Sequence, residues 1–197
     1  MRRPGLWFSS ALVVVAVTLT GCGTTSLQAP ENPLEPRAVF VIDHGRHTSI
    51  AVEAVSGNLH RYSYGDTRYY RDQDTTLWSG AAALLWPTPA TLGRAELVAE
   101  ADGSALREQL VVGVEEILVL EVAGEHADRL IDELDAIHQQ GAAEHVFVRA
   151  YGLVFAPHPT DYVWWHNSST VVAGWLKDMG IEVYGSGLLA SWDLKEN

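Results

Sequence analysis

The sequence predicts an α+β fold, with a largely antiparallel sheet packed against helices. Two observations predict it. Runs of strand length come early, at Ala38–Ile42, His47–Val52 and Leu59–Tyr64, and only short turns separate them. Such turns suit antiparallel neighbours and leave no room for crossover helices. Later apolar residues recur at helical spacing and stop at glycine. One such run is His126–Gln140, closed by Gly141; another passes through Val171, Val172, Trp175, Leu176 and Met179 and closes at Gly180.

The elements follow in order. Met1-Arg2-Arg3 is basic, Leu6 to Leu19 is apolar, and Leu19-Thr20-Gly21-Cys22 fits the lipobox of a bacterial lipoprotein signal. Residues 1–21 are therefore expected to be a signal peptide, with Cys22 as the lipidated residue. An ordinary signal peptide with a chance cysteine is the plainer alternative. Cys22 is the only cysteine of the 197 residues, so no internal disulfide can form, and attachment to lipid is the economical use for it. Gly23, where Asp would signal inner-membrane retention in enteric bacteria, favours the outer membrane. Residues 22–36, rich in Pro and turn formers, are expected to be the lipidated cysteine and a flexible tether. Residues 37–197 are expected to form a single domain.

Ala38–Ile42 is a continuous apolar run, as in a buried strand. Asp43-His44-Gly45-Arg46 makes a turn into the strand His47–Val52. Ser56-Gly57-Asn58 turns into Leu59–Tyr64, which ends at Gly65-Asp66, where Asp66 is a turn residue. The three strands form a meander. Leu77–Trp86 is expected to be helical, stopped by Pro87 and Pro89. Strands are expected at Glu96–Ala101, Glu115–Val122 and Val146–Val148. On the helix His126–Gln140, Leu130, Leu134 and Ile137 share the core face, and Asp128, Asp132, Glu133 and Asp135 form the solvated one. Gly152–Pro159 reads as a loop and Ile181–Trp192 as an irregular strand.

Charge excludes some partners. The chain has 13 Lys+Arg and 25 Asp+Glu, a net charge of −12; without Arg2 and Arg3 the balance is −14. Such a surface repels nucleic acid and anionic headgroups. The expected membrane contact is thus the lipid on Cys22, beside an unidentified envelope ligand or protein, with no nucleic acid.

The chemistry gathers at Asp161-Tyr162-Val163-Trp164-Trp165-His166-Asn167-Ser168-Ser169-Thr170, upstream of the last helix. A side chain at a helix N-terminus meets unsatisfied N–H groups and the positive end of the dipole. Ser168 is the candidate nucleophile there, and its plainer reading is an N-cap. His47, at a strand start, is the candidate base; a histidine bonded to the backbone is the alternative. His60 on the next strand is the candidate third member, or a partner for an acid. Trp164 and Trp165 either line a groove or enter the core. His44-x-x-His47 across the turn, with His166 as a third ligand, could chelate zinc, but the acids are scattered and no His-Glu-x-x-His is present, so neither a metal nor a cofactor is expected.

Three segments carry a resemblance to a family. Phe40-Val41-Ile42-Asp43-His44-Gly45-Arg46-His47-Thr48-Ser49-Ile50 is similar to a strand, His-Gly-x-His-Thr-Gly, strand pattern. Tyr62-Ser63-Tyr64-Gly65-Asp66-Thr67-Arg68-Tyr69-Tyr70 is similar to Phe-Gly-Trp-Gly-Asp-x-x-Phe-Tyr. Asn167–Gly180 is similar to a Cys-Asn-Thr-Trp segment with its helix and closing Gly. The chain thereby resembles the DUF2459 family, relatives of the circularly permuted NlpC/P60 and papain-like hydrolases. The resemblance implies a permuted papain-like fold with a nucleophile late in the chain and a histidine early. Ser168 stands at the family's cysteine, Ser169 at its Asn and Val171 at its Trp. A hydroxyl is far less acidic than a thiol, so a helix dipole cannot ionise it. The expectation is a pseudoenzyme with a binding or scaffolding role. An active Ser168/His47 hydrolase of acyl or amide bonds is the alternative, and a structural lipoprotein without a groove is the third reading.

Overall fold

The computed structural model describes residues 23–73, 86–98 and 103–195. Cys22 and the signal segment lie outside these residues, as does the expected helix Leu77–Trp86 apart from Trp86. The chain is α+β. Among the described residues its main sheet has seven strands, all antiparallel. They are β2 (Arg37–Asp43), β3 (Thr48–Glu53), β4 (Leu59–Asp66), β5 (Thr88–Leu97), β6 (Glu116–Val122), β7 (Val146–Val148) and β8 (Leu153–Tyr162). The spatial order is β6-β2-β3-β4-β5-β8-β7. A small second sheet joins β1 (Thr25–Gln28), β9 (Glu182–Tyr184) and β10 (Trp192–Leu194) in the order β10-β1-β9.

The β2–β3–β4 meander is as expected, and its pleat sorts the core into two layers. Val39, Val41, Ile50, Val52, Tyr62 and Tyr64 point to one face, under helices α3 (Gly124–Gln140) and α4 (Ser168–Asp178). Phe40, Ile42, Ala51 and Leu59 point to the other, which Leu106 of α2 (Gly103–Gln109) covers at one end. Burial on both faces is why these strands read as near-continuous apolar runs. The short α1 (Thr67–Tyr70) follows β4 directly.

Four expectations are corrected. Residues 22–36 are not tether throughout: Thr25–Gln28 pairs with Trp192–Leu194 and Glu182–Tyr184, and Leu27 is 1 % exposed. Its partners lie about the far end of the chain, and a four-residue run with one apolar side chain gives no local sign of them. The strand expected at Glu96–Ala101 starts earlier, at Thr88, and ends at Leu97. The expected loop Gly152–Pro159 is mostly strand β8. Pro157 and Pro159 are tolerated because β7 covers only Leu153–Phe155, so beyond Phe155 β8 is an edge that needs no further N–H donors. Asp135 is half-buried and paired rather than simply part of a solvated face.

Leu27 sits in the same apolar cluster as Val39, Leu120 and Trp192. Leu27→Ala should therefore cost about 2–5 kcal/mol of stability, measured by urea unfolding. A flexible tether would show no change.

Candidate functional site

Helix α4 starts as the capping residues suggested, but the cap is Asn167. Its Oδ1 accepts from the backbone N–H groups of Ser169 and Thr170 at 3.0 Å each, and its own N–H donates to Thr170 Oγ1 at 2.9 Å. This reciprocal box satisfies orphan donors of the first turn. Ser168 is therefore the first helical residue, and its side chain turns inward, 4 % exposed. Its Oγ accepts from the Thr48 backbone N–H at 3.3 Å. Thr48 Oγ1 meets Ser169 Oγ at 3.0 Å and accepts from Trp192 Nε1 at 3.0 Å. Thr48 thus joins helix, sheet and tail, and the group facing Ser168 is a backbone amide, not a titratable base.

His47 lies elsewhere. It precedes Thr48, so the pleat sends its ring to the opposite face. There Nε2 lies 2.7 Å from Ser63 Oγ and Nδ1 lies 2.9 Å from Tyr70 Oη. Both ring nitrogens are occupied. Burial holds His47 well below the ordinary histidine pKa, with lesser contributions from His44 and Arg61, so the ring is neutral. Tyr70 reaches it because Gly65 has no side chain: a Cβ there would meet the Tyr70 ring at 2.3 Å.

His60 is in a third place. It lies on the helix face, where Nδ1 is 3.3 Å from Tyr62 Oη and 3.6 Å from Asp135 Oδ2. Arg94 grips Asp135 with two bonds, Nε to Oδ1 at 2.5 Å and Nη2 to Oδ2 at 3.0 Å, and Tyr62 Oη donates at 2.7 Å. Burial raises the Asp135 pKa, but the bonds from Arg94 and Tyr62 outweigh it and hold the carboxyl below its usual value. This network pins α3 to β4 and β5. His60 serves as a partner for an acid, and Ser168, His47 and His60 do not form one constellation.

The outer face has an arrangement that does not involve Ser168. A cavity of about 670 Å³ is lined by His44, His47, Arg61, Ser63, Tyr70 and Tyr151, among others. His44 Nδ1 donates to the Gly113 carbonyl at 2.7 Å, which leaves Nε2 to accept from Ser49 Oγ at 2.9 Å in the neutral ring. The sequence signal was Arg61, a charged residue in the middle of the expected strand Leu59–Tyr64. A smaller cleft of about 370 Å³ opens at the start of α4, lined by Arg46, Tyr162, Asn167, Ser168 and Leu189 among others. Gly45 and Arg46 line both.

Trp164 and Trp165 enter no core. They are 47 % and 59 % exposed and pack edge to face with ring centroids 5.4 Å apart. The His166 ring packs against Tyr64, centroids 5.4 Å apart. His44 and His47 lie 6.0 Å apart, and no group of three metal-ligating side chains forms among the described residues. Asp66 does more than turn the chain: it caps α1 through Tyr69 N–H at 2.9 Å and accepts from Thr88 Oγ1 at 2.5 Å.

Burial lowers the His44 pKa to about 4, against 6.5 in an unfolded chain. Between those values the unfolded chain binds a proton that the folded chain refuses, so stability falls as pH drops from 6.5 toward 4. The buried His47 acts in the same direction. His44→Gln should flatten this slope in part, measured by urea unfolding across that pH range; an unchanged slope contradicts the assignment. Compared with known protein families, curated proteins and solved structures, the chain matches none.

Proposed function

We propose that the chain is a lipid-anchored envelope protein that binds a ligand in the outer cavity and does not hydrolyse through Ser168. In this reading it is a DUF2459-like, permuted papain-like relative whose helix-terminal nucleophile site is vestigial. One observation carries it. Ser168 Oγ faces the Thr48 amide, while both His47 nitrogens are engaged on the other side of the sheet. A serine without a base to take its proton is not an activated nucleophile.

The anchor would be lipid on Cys22, with the outer membrane favoured by Gly23. Only Gly23 and Thr24 separate Cys22 from β1. That is about 10 Å of extended chain, so such an anchor would hold the domain against the lipid surface. The acidic balance of the chain, 13 Lys+Arg against 25 Asp+Glu, disfavours attachment to anionic headgroups through charge.

A second reading is favoured by the 2.7 Å contact between His47 Nε2 and Ser63 Oγ beside the cavity. It makes Ser63 the nucleophile of a hydrolase, His47 the base and Tyr70 the group that orients the ring. Against it, Ser63 sits mid-strand, paired with Ser49 on one side and Gly93 on the other. Its backbone is committed to the ladders and offers no free N–H for an oxyanion.

A fluorophosphonate probe followed by peptide mass spectrometry separates the readings. The expected result is no adduct on Ser168 or Ser63. An adduct on Ser63 that disappears in His47→Gln would establish the second reading, and an adduct on Ser168 would overturn the first.

A further inference from the structure

The floor of the outer cavity carries a buried cation. Arg61 is 3 % exposed and lies on the outer face of β4, two residues before Ser63. Its Nη1 donates to the Tyr151 carbonyl at 3.1 Å, and its Nε reaches Ser49 Oγ at 3.5 Å. Among the described residues no carboxylate forms an ion pair with it. Burial lowers its pKa to about 10, which leaves it charged at neutral pH. A charge taken out of water without a counter-ion is costly, so such groups are normally paired. Arg94, on the neighbouring strand β5, has its carboxylate in Asp135. Arg61 has only neutral oxygens.

The cavity around this guanidinium suits a small molecule. Its volume of about 670 Å³ is larger than a bare ion needs and falls in the range of small-molecule sites. Tyr70, Tyr151, Val114 and Leu153 give apolar and aromatic wall, while Ser63, bonded to the neutral His47, adds a small polar strip. Only Glu115 among the lining residues is acidic, and it is exposed at the Gly45 turn. The net charge of −12 disfavours anions at long range. An anion that enters is therefore selected by the local cations, the buried Arg61 and, at the exposed Gly45 turn, Arg46.

We propose that the outer cavity binds a small molecule bearing an oxyanion, a carboxylate or a phosphate, which the Arg61 guanidinium receives. This rests on reading the cavity as a binding site. The planar fork of an arginine matches either oxyanion with two parallel bonds.

Isothermal titration of the full chain in neutral detergent, at fixed ionic strength, tests this with benzoate, phenyl phosphate and the neutral benzamide. Saturable binding of at least one anion, at least tenfold tighter than benzamide, is the expected result. The tighter of the two anions tells carboxylate from phosphate. Arg61→Met should bring anion binding down to the benzamide level while circular dichroism reports a folded chain. If that variant does not fold, Arg61→Lys, which keeps the charge but loses the fork, should weaken the anion tenfold or more. Equal binding of anion and benzamide, or anion binding unchanged in the variants, would overturn the oxyanion assignment and leave the cavity as a binding site. No saturable binding of any of the three probes would overturn both.

Discussion

Successive side chains on a strand leave on opposite faces, and along β3 and β4 that alternation separates everything chemical in this protein. Thr48, Ile50, Tyr62 and Tyr64 point toward α3 and α4. His47, Ser49, Arg61 and Ser63 point away, into the outer cavity. The register Ser49↔Ser63 and Ala51↔Arg61 places the two sets in matching rows across the strands. A slip of one residue would exchange the faces. It would bury Arg61 beneath α4 and lift Ile50 and Val52 off the main core, which is reason enough for the register to be fixed.

Each face is then satisfied in its own way. Under the helices, one carboxylate holds the polar groups: Asp135 takes Arg94 and Tyr62 together, close to His60. At the start of α4, Thr48 receives a serine, a second serine and an indole. These contacts tie the start of α4 to β3 and to the tail. On the outer face the polar groups are bonded in a short chain, from the Arg61 guanidinium through the neutral Ser49 and His44 to the Gly113 carbonyl. Among the described residues Arg61 has no ion pair on that face, and the cavity opens beside it.

Much of this was legible in the sequence. The meander, both long helices and the short strand Val146–Val148 follow from periodicity and stop signals, because those signals act within a few residues. The start of α4 was legible as a capped helix; that Asn167 takes the cap and Ser168 turns inward depends on which side the sheet lies. The strand Thr25–Gln28 was not legible, since its partners are 154 or more residues away in register. β8 was hidden by prolines that an edge position excuses. The grouping of His47 with Ser168 failed for a specific reason. Both faces of β3 are buried, so its residues carry no polar side to say which face α4 would cover. Asp135 looked solvated because its partner Arg94 lies on a different element.

The separation of Ser168 from His47 is the central claim, and thiol chemistry reads it directly. In a Cys22→Ser background, Ser168→Cys places a single thiol at the start of α4. The rate of its alkylation by iodoacetamide, followed against pH, gives the thiol pKa. The account predicts a profile that His47→Gln leaves unchanged, because no imidazole reaches that position. A thiolate already formed below neutral pH, and lost on His47→Gln, would contradict it and restore a working dyad across the start of α4.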